Sequence, residues 1–118
     1  MDMLLLGETL PHASGATTRY EGFWMPAAGN EGFGAVETFL VSSADVFTVS
    51  VETKSSDETD GGGGVSVIGT ATVDSTNPSM VKIELDNAKD LVRYVLECTS
   101  ESDEYIHFQL CQPLWAPN

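Results

Sequence analysis

Apolar residues recur at every second position in four separate stretches of this chain, a period that fits strands and not helices. Phe47, Val49 and Val51 alternate with Thr48, Ser50 and Glu52, and Val81, Ile83 and Leu85 alternate with Lys82, Glu84 and Asp86. Val92, Tyr94, Leu96 and Cys98 alternate in part with Arg93 and Glu97, and Ile106, Phe108 and Leu110 with His107 and Gln109. Each stretch reads as a half-buried antiparallel strand rich in β-branched and aromatic residues. Weaker candidates lie at 17–25, 35–42 and 65–73. About seven strands separated by Gly, Asn, Asp, Ser and Pro clusters predict an all-β fold, a single antiparallel β-sandwich or jelly roll. Only 86–94 competes as a helix, with one helical turn at its start, and nothing sustains a 3.6-residue period.

Three segments and the C-terminus depart from the pattern. Residues 1–16, with Pro11, His12 and Gly15, are expected to form an extended N-terminal arm ahead of a β-sandwich domain at 17–118. Residues 26–34 read as a flexible loop, and 54–64 as a long acidic, Gly-rich excursion. Pro113 is expected to stop a central strand, leaving Leu114 and Trp115 on a tail that packs against the body or a neighbour. At 118 residues the chain suits one domain with a real core, since domains cluster at roughly 100–150 residues.

Charge narrows the partners. Eighteen acidic residues against five basic ones give a formal charge of −13, with no basic patch to track a phosphate backbone or an anionic membrane. Direct nucleic-acid or membrane binding is therefore not expected. The longest apolar run near the start is broken by Gly7 and Glu8 after an acidic Asp2, which predicts a soluble product without a secretory signal. Cys98 and Cys111 are placed on two strands of one hairpin turning at 100–103; there the sulfurs would lie roughly 20 Å apart, so both are expected as free thiols.

No motif for catalysis emerges. The acidic 57–60 tip lacks the EF-hand spacing and reads as a solvated turn. His12, His107, Cys98 and Cys111 lack zinc-ligand spacing, there is no GxSxG elbow, and His107 reads as a polar-face strand residue. No cofactor, metal or catalytic residue is assigned, and the chain is not expected to be an enzyme. The aromatic cluster Tyr20, Phe23, Trp24 and Phe33 has two readings, packing in the core or at an edge strand, or anchoring a neighbouring subunit. Trp115, close to the chain end, favours the second.

Four runs, 49–58, 66–73, 91–97 and 105–115, follow one another in an order similar to small tailed-phage virion structural proteins of β-sandwich type. Leu91-Val92-Arg93-Tyr94 and the terminal His107 to Trp115 run carry most of the resemblance, which covers roughly 36–118. It implies a non-enzymatic capsid decoration or cement subunit that binds the major capsid protein or other virion proteins and forms a homo-oligomer, a trimer among the options. Such a protein is made in the host cytoplasm and resides in the virion. The partner-facing candidates are Leu4, Leu5, Leu6, Tyr20, Phe23, Trp24, Leu114 and Trp115. Removing 1–10 is expected to weaken capsid binding and leave the body folded. Two rival readings are another virion component, such as a tail or head–neck protein, and a carbohydrate-binding or adhesin-like module. The carbohydrate reading would place Tyr20, Trp24 and Tyr105 on one sheet face.

Overall fold

The computed structural model describes residues 4–41, 47–59, 63–73 and 80–116, and among them every regular element is a strand. Nine strands form: β1 (Leu4–His12), β2 (Thr18–Glu21), β3 (Met25–Pro26), β4 (Gly32–Val41), β5 (Phe47–Lys54), β6 (Ser66–Val73), β7 (Met80–Leu85), β8 (Leu91–Cys98) and β9 (Glu104–Trp115). They build two antiparallel sheets, one in the order β1-β9-β4-β7 and one in the order β2-β8-β5-β6 with β3 also on β8. One core lies between them. Phe47, Val49 and Val51 of β5 and Val92, Tyr94 and Leu96 of β8 meet Val36 of β4, Ile83 of β7, and Ile106, Phe108 and Leu110 of β9. These are the inward positions of the period-two pattern, which is why the four strong alternations all became strands.

Two expectations about connectivity are corrected. β8 and β9 are not a hairpin: β8 lies between β2 and β5 in one sheet, and β9 between β1 and β4 in the other. The short link 99–103 therefore crosses between sheets, because both edges of β8 are already occupied. Cys98 and Cys111 are free and buried on different sheets. Residues 4–12 are not an extended arm either. They form β1, an edge strand paired with β9 from Leu4↔Cys111 to His12↔Glu104.

The C-terminal expectation is corrected as well. β9 continues through Pro113 to Trp115, which pairs with Gly32. Pro113 is tolerated because the β4–β9 register shifts here: between Phe33↔Leu114 and Ala35↔Cys111, two β9 residues face Gly34. Among the described residues, β1 pairs with β9 no further than Leu4↔Cys111. The extra residue also flips side-chain parity, so that Leu114 faces out and Trp115 packs against the core.

Elsewhere the boundaries move. The 17–25 candidate splits into β2 and β3, because 22–24 opposes only Arg93 and Tyr94 of β8, and the surplus residue bulges. The 26–34 loop shrinks as β3 and β4 enter it. No helical turn precedes β8; Asn87 takes a left-handed conformation (φ 63°), and Ala88 N–H donates to the Asn30 carbonyl at 3.0 Å. Asp60, Gly61 and Gly62 of the acidic tip lie outside the described residues.

Candidate interaction surfaces

The outer face of the β2-β8-β5-β6 sheet carries a closed charge network. Glu52 and Arg93 sit directly opposite each other on β5 and β8, as do Arg19 on β2 and Glu97 on β8. Arg93 Nε and Nη2 both reach Glu52 Oε1 at 2.9 Å, and Nη2 reaches Glu21 Oε2 at 3.2 Å. Arg19 donates to Glu21 at 2.8 Å and to the second Glu52 oxygen at 2.9 Å, with Glu97 at 3.4 Å. Hydrogen bonding to Glu21, and then to Glu52, holds the Arg19 guanidinium above its usual range against the opposing effect of burial. The bulge at 22–24 sets the Trp24 ring over this network, 4.4 Å from the Arg93 guanidinium and 4.8 Å from Lys54 Nζ. The arrangement pairs its charges internally and offers no nucleophile beside a base. Its chemistry is cohesion.

Inside the fold, Tyr94 bridges the sheets. Its hydroxyl donates to the Cys111 carbonyl at 2.7 Å and accepts from Ala35 N–H at 2.9 Å. Both partners flank the β4–β9 register shift, where the ladder is broken and backbone groups need another partner. A Cβ at Gly34 would approach the Tyr94 hydroxyl to 3.0 Å, so glycine gives the phenol its seat. Burial pushes the Tyr94 phenol up to about 12.

Two ends of the molecule are pinned by polar contacts. His12, 3% exposed, donates from Nε2 to the Ser100 carbonyl at 2.8 Å, which leaves Nδ1 to accept from the Thr18 hydroxyl at 2.7 Å. At the other end the acidic tip folds back: Glu58 Oε1 accepts from Ser55 N–H at 2.8 Å and from Lys89 Nζ at 3.4 Å. The Ser55 N–H, with Lys89 behind it, holds the Glu58 carboxyl below its ordinary range. An open cleft lined by Glu31, Phe33, Glu84 and Asp86 lies beside β7. Among the described residues no group of three His, Cys, Asp or Glu is placed to hold a metal ion.

The structure divides the sequence-derived surface candidates. Tyr20 points inward and meets Phe108 edge-on, with ring centroids 5.6 Å apart, and Trp115 packs against the core. Phe23 and Leu114 are 57% and 53% exposed, on the bulge beside β8 and on the outer face of β9 respectively. Trp24 is half-buried over the charge network. Leu4, Leu5 and Leu6 belong to β1, but their side chains lie outside the described part of the structure. Phe33 stands apart from the other aromatics, opposite Leu114 with Lys82 Nζ over its ring at 4.4 Å. The face expected for carbohydrate stacking does not form: Tyr20 packs against the core, Trp24 flanks one sheet, and Tyr105 lies on β9 of the other.

The residues missed from sequence are Tyr94, His12 and the Arg19–Glu52–Arg93 network. Only the network left a trace, as outward positions of opposite charge on strands now seen to pair. No protein-family model matches the chain, and no curated protein is similar to it.

Proposed function

We propose that the chain is a structural subunit of a tailed-phage virion, a jelly-roll decoration or cement protein that binds the shell and copies of itself. The strand order carries this reading. With β2 and β3 counted as one interrupted strand, eight strands alternate between two four-stranded sheets, β1-β9-β4-β7 and β2/β3-β8-β5-β6. Every connection crosses from one sheet to the other except the adjacent pair β5–β6. Such an order supports the winding of a double Greek key, an architecture used by viral capsid proteins and also by lectins and cupins. The resemblance read from residues 36–118 spans β4 to β9, the larger part of both sheets. On this reading the protein is made in the host cytoplasm, works without catalysis, and acts by being present in many ordered copies.

Copy number is the decisive measurement. Quantitative mass spectrometry of particles purified from the phage that encodes the chain should find it in fixed stoichiometry with the major capsid protein. Absence from purified particles overturns the proposal, as does saturable binding to a single class on a glycan array.

A further inference from the structure

We propose that the outer face of the β1-β9-β4-β7 sheet is a self-association surface, whose occupant is the same face of a second copy of this chain. The inference rests on where the charge of the molecule is not. The formal charge is −13, so any two copies repel unless they meet where that excess is absent. Acids crowd the connections between strands: Glu31, Asp57, Asp86, Asp90, Glu101 and Asp103 all lie there. The outward positions along β9, the second strand of this sheet, are Tyr105, His107, Gln109 and, past the register shift, Gln112 and Leu114. None carries an acid. Across the described part of the whole face the charges are Glu37, Lys82 and Glu84, a net excess of one.

The opposite face is also nearly neutral, but for a different reason. Its arginines and glutamates are already paired with one another, and covering them would cost desolvation without new partners. Apolar exposure separates the two faces in the same direction. Of the five large hydrophobic side chains exposed among the described residues, Phe33, Tyr105 and Leu114 lie on the β9 face. Phe33 and Leu114 are cross-strand partners, which makes them one continuous patch at its end. Four strands at about 4.8 Å spacing and roughly 30 Å length project about 600 Å², and the accessible area of such a face is larger. Complete coverage reaches the about 800 Å² per partner of a standard stable interface. β1 carries Pro11 at the sheet edge, and proline blocks ladder extension there, so contact through the face is favoured over strand addition.

This deepens the virion reading by locating the contact between copies, and the two can fail separately. Sedimentation equilibrium on the full-length protein should give a mass that is a closed multiple of the protomer. Leu114→Asp and Tyr105→Asp each place a charge within the contact, at opposite ends of β9, and should weaken association at least tenfold, about 1.4 kcal/mol. Leu114 is 53% exposed, so circular dichroism melting of Leu114→Asp should stay near wild type and report that folding is intact. Phe23→Asp, on the other side of the molecule, should leave the assembly unchanged. A wild-type protomer at every concentration overturns the inference, as does a Leu114→Asp protein that assembles normally, or loss of assembly in Phe23→Asp. A protomer in solution that is abundant on virions would sink the self-association surface alone. A closed oligomer that is absent from virions would sink the virion reading alone.

Discussion

Tyr94 is the residue on which the two sheets depend for registration as well as for burial. Its hydroxyl serves the Ala35 N–H and the Cys111 carbonyl, two backbone groups that the break in the β4–β9 ladder leaves facing the interior. Tyr94→Phe keeps the ring and removes both buried hydrogen bonds of the hydroxyl, so it should destabilise the fold by about 2–3 kcal/mol, measured by urea unfolding. A cost below about 0.5 kcal/mol would show that water replaces the hydroxyl. The same phenol has a pH signature. Its pKa is about 12 folded against an ordinary 10, so the unfolded chain loses the proton first as pH rises. Stability should be intact below pH 10 and fall between pH 10 and 12 by about 2–3 kcal/mol, a decline that the Phe variant lacks. Glu52 makes the second residue-scale case. It is 8% exposed and takes charge from both Arg19 and Arg93, the latter 6% exposed. Glu52→Ala removes the carboxylate oxygen that Arg93 Nε and Nη2 both reach, and should cost about 3 kcal/mol. An Arg93→Met partner change should recover part of that loss, which a double-mutant cycle would read as coupling.

At the scale of the strand, the position of β1 reverses an expectation. Residues 1–16 carry few strand signals and include Pro11, His12 and Gly15, yet an edge strand can carry such residues when its partner supplies the ladder. That partner is β9, about a hundred residues away in sequence, and no local period reports a pairing of that range. Removing 1–12 should therefore lower the melting temperature by roughly 10 °C or more, or render the protein insoluble, because it uncovers β9 and removes the buried His12. Retention of the wild-type melting point would restore the arm. The β8–β9 link failed for a related reason. Short connections usually join neighbours, but β2 and β5 already flank β8, and only the complete topology shows that. By contrast, 47–52, 81–86, 92–98 and 106–110 were legible because each buries one face against a shared core, and burial writes its period directly into the residues. The surface was read less well. Tyr20 and Trp115 were grouped with Phe23 and Leu114 by residue type, yet parity decides which of them faces water. Parity is reset by the bulges at 22–24 and at Pro113. Tyr94 was unreadable as a bridge, since its partners are backbone atoms that only a broken ladder frees.

The whole molecule is a pair of nearly neutral sheet faces held between acidic connections, and this distribution governs its response to salt. The chain extends 41 × 33 × 19 Å, so acids on different loops lie within a few tens of ångströms of one another. In water without salt, two like charges 20 Å apart repel by about 0.2 kcal/mol. With an excess of 13 negative charges many such pairs act together, and unfolding relieves them by letting the chain expand. The Debye length falls from about 30 Å at 0.01 M salt to about 8 Å at 0.15 M, which removes most of this repulsion. The paired network of Arg19, Glu52 and Arg93 is partly buried and loses little over the same range. Repulsion should therefore dominate the salt dependence, and the melting temperature should rise by roughly 4–8 °C between these two concentrations, about 1 kcal/mol. The measurement belongs on Leu114→Asp, where assembly does not contribute to the melting curve. A melting temperature that falls with added salt would place the attractive network, and not the acidic connections, in control of the fold's electrostatics.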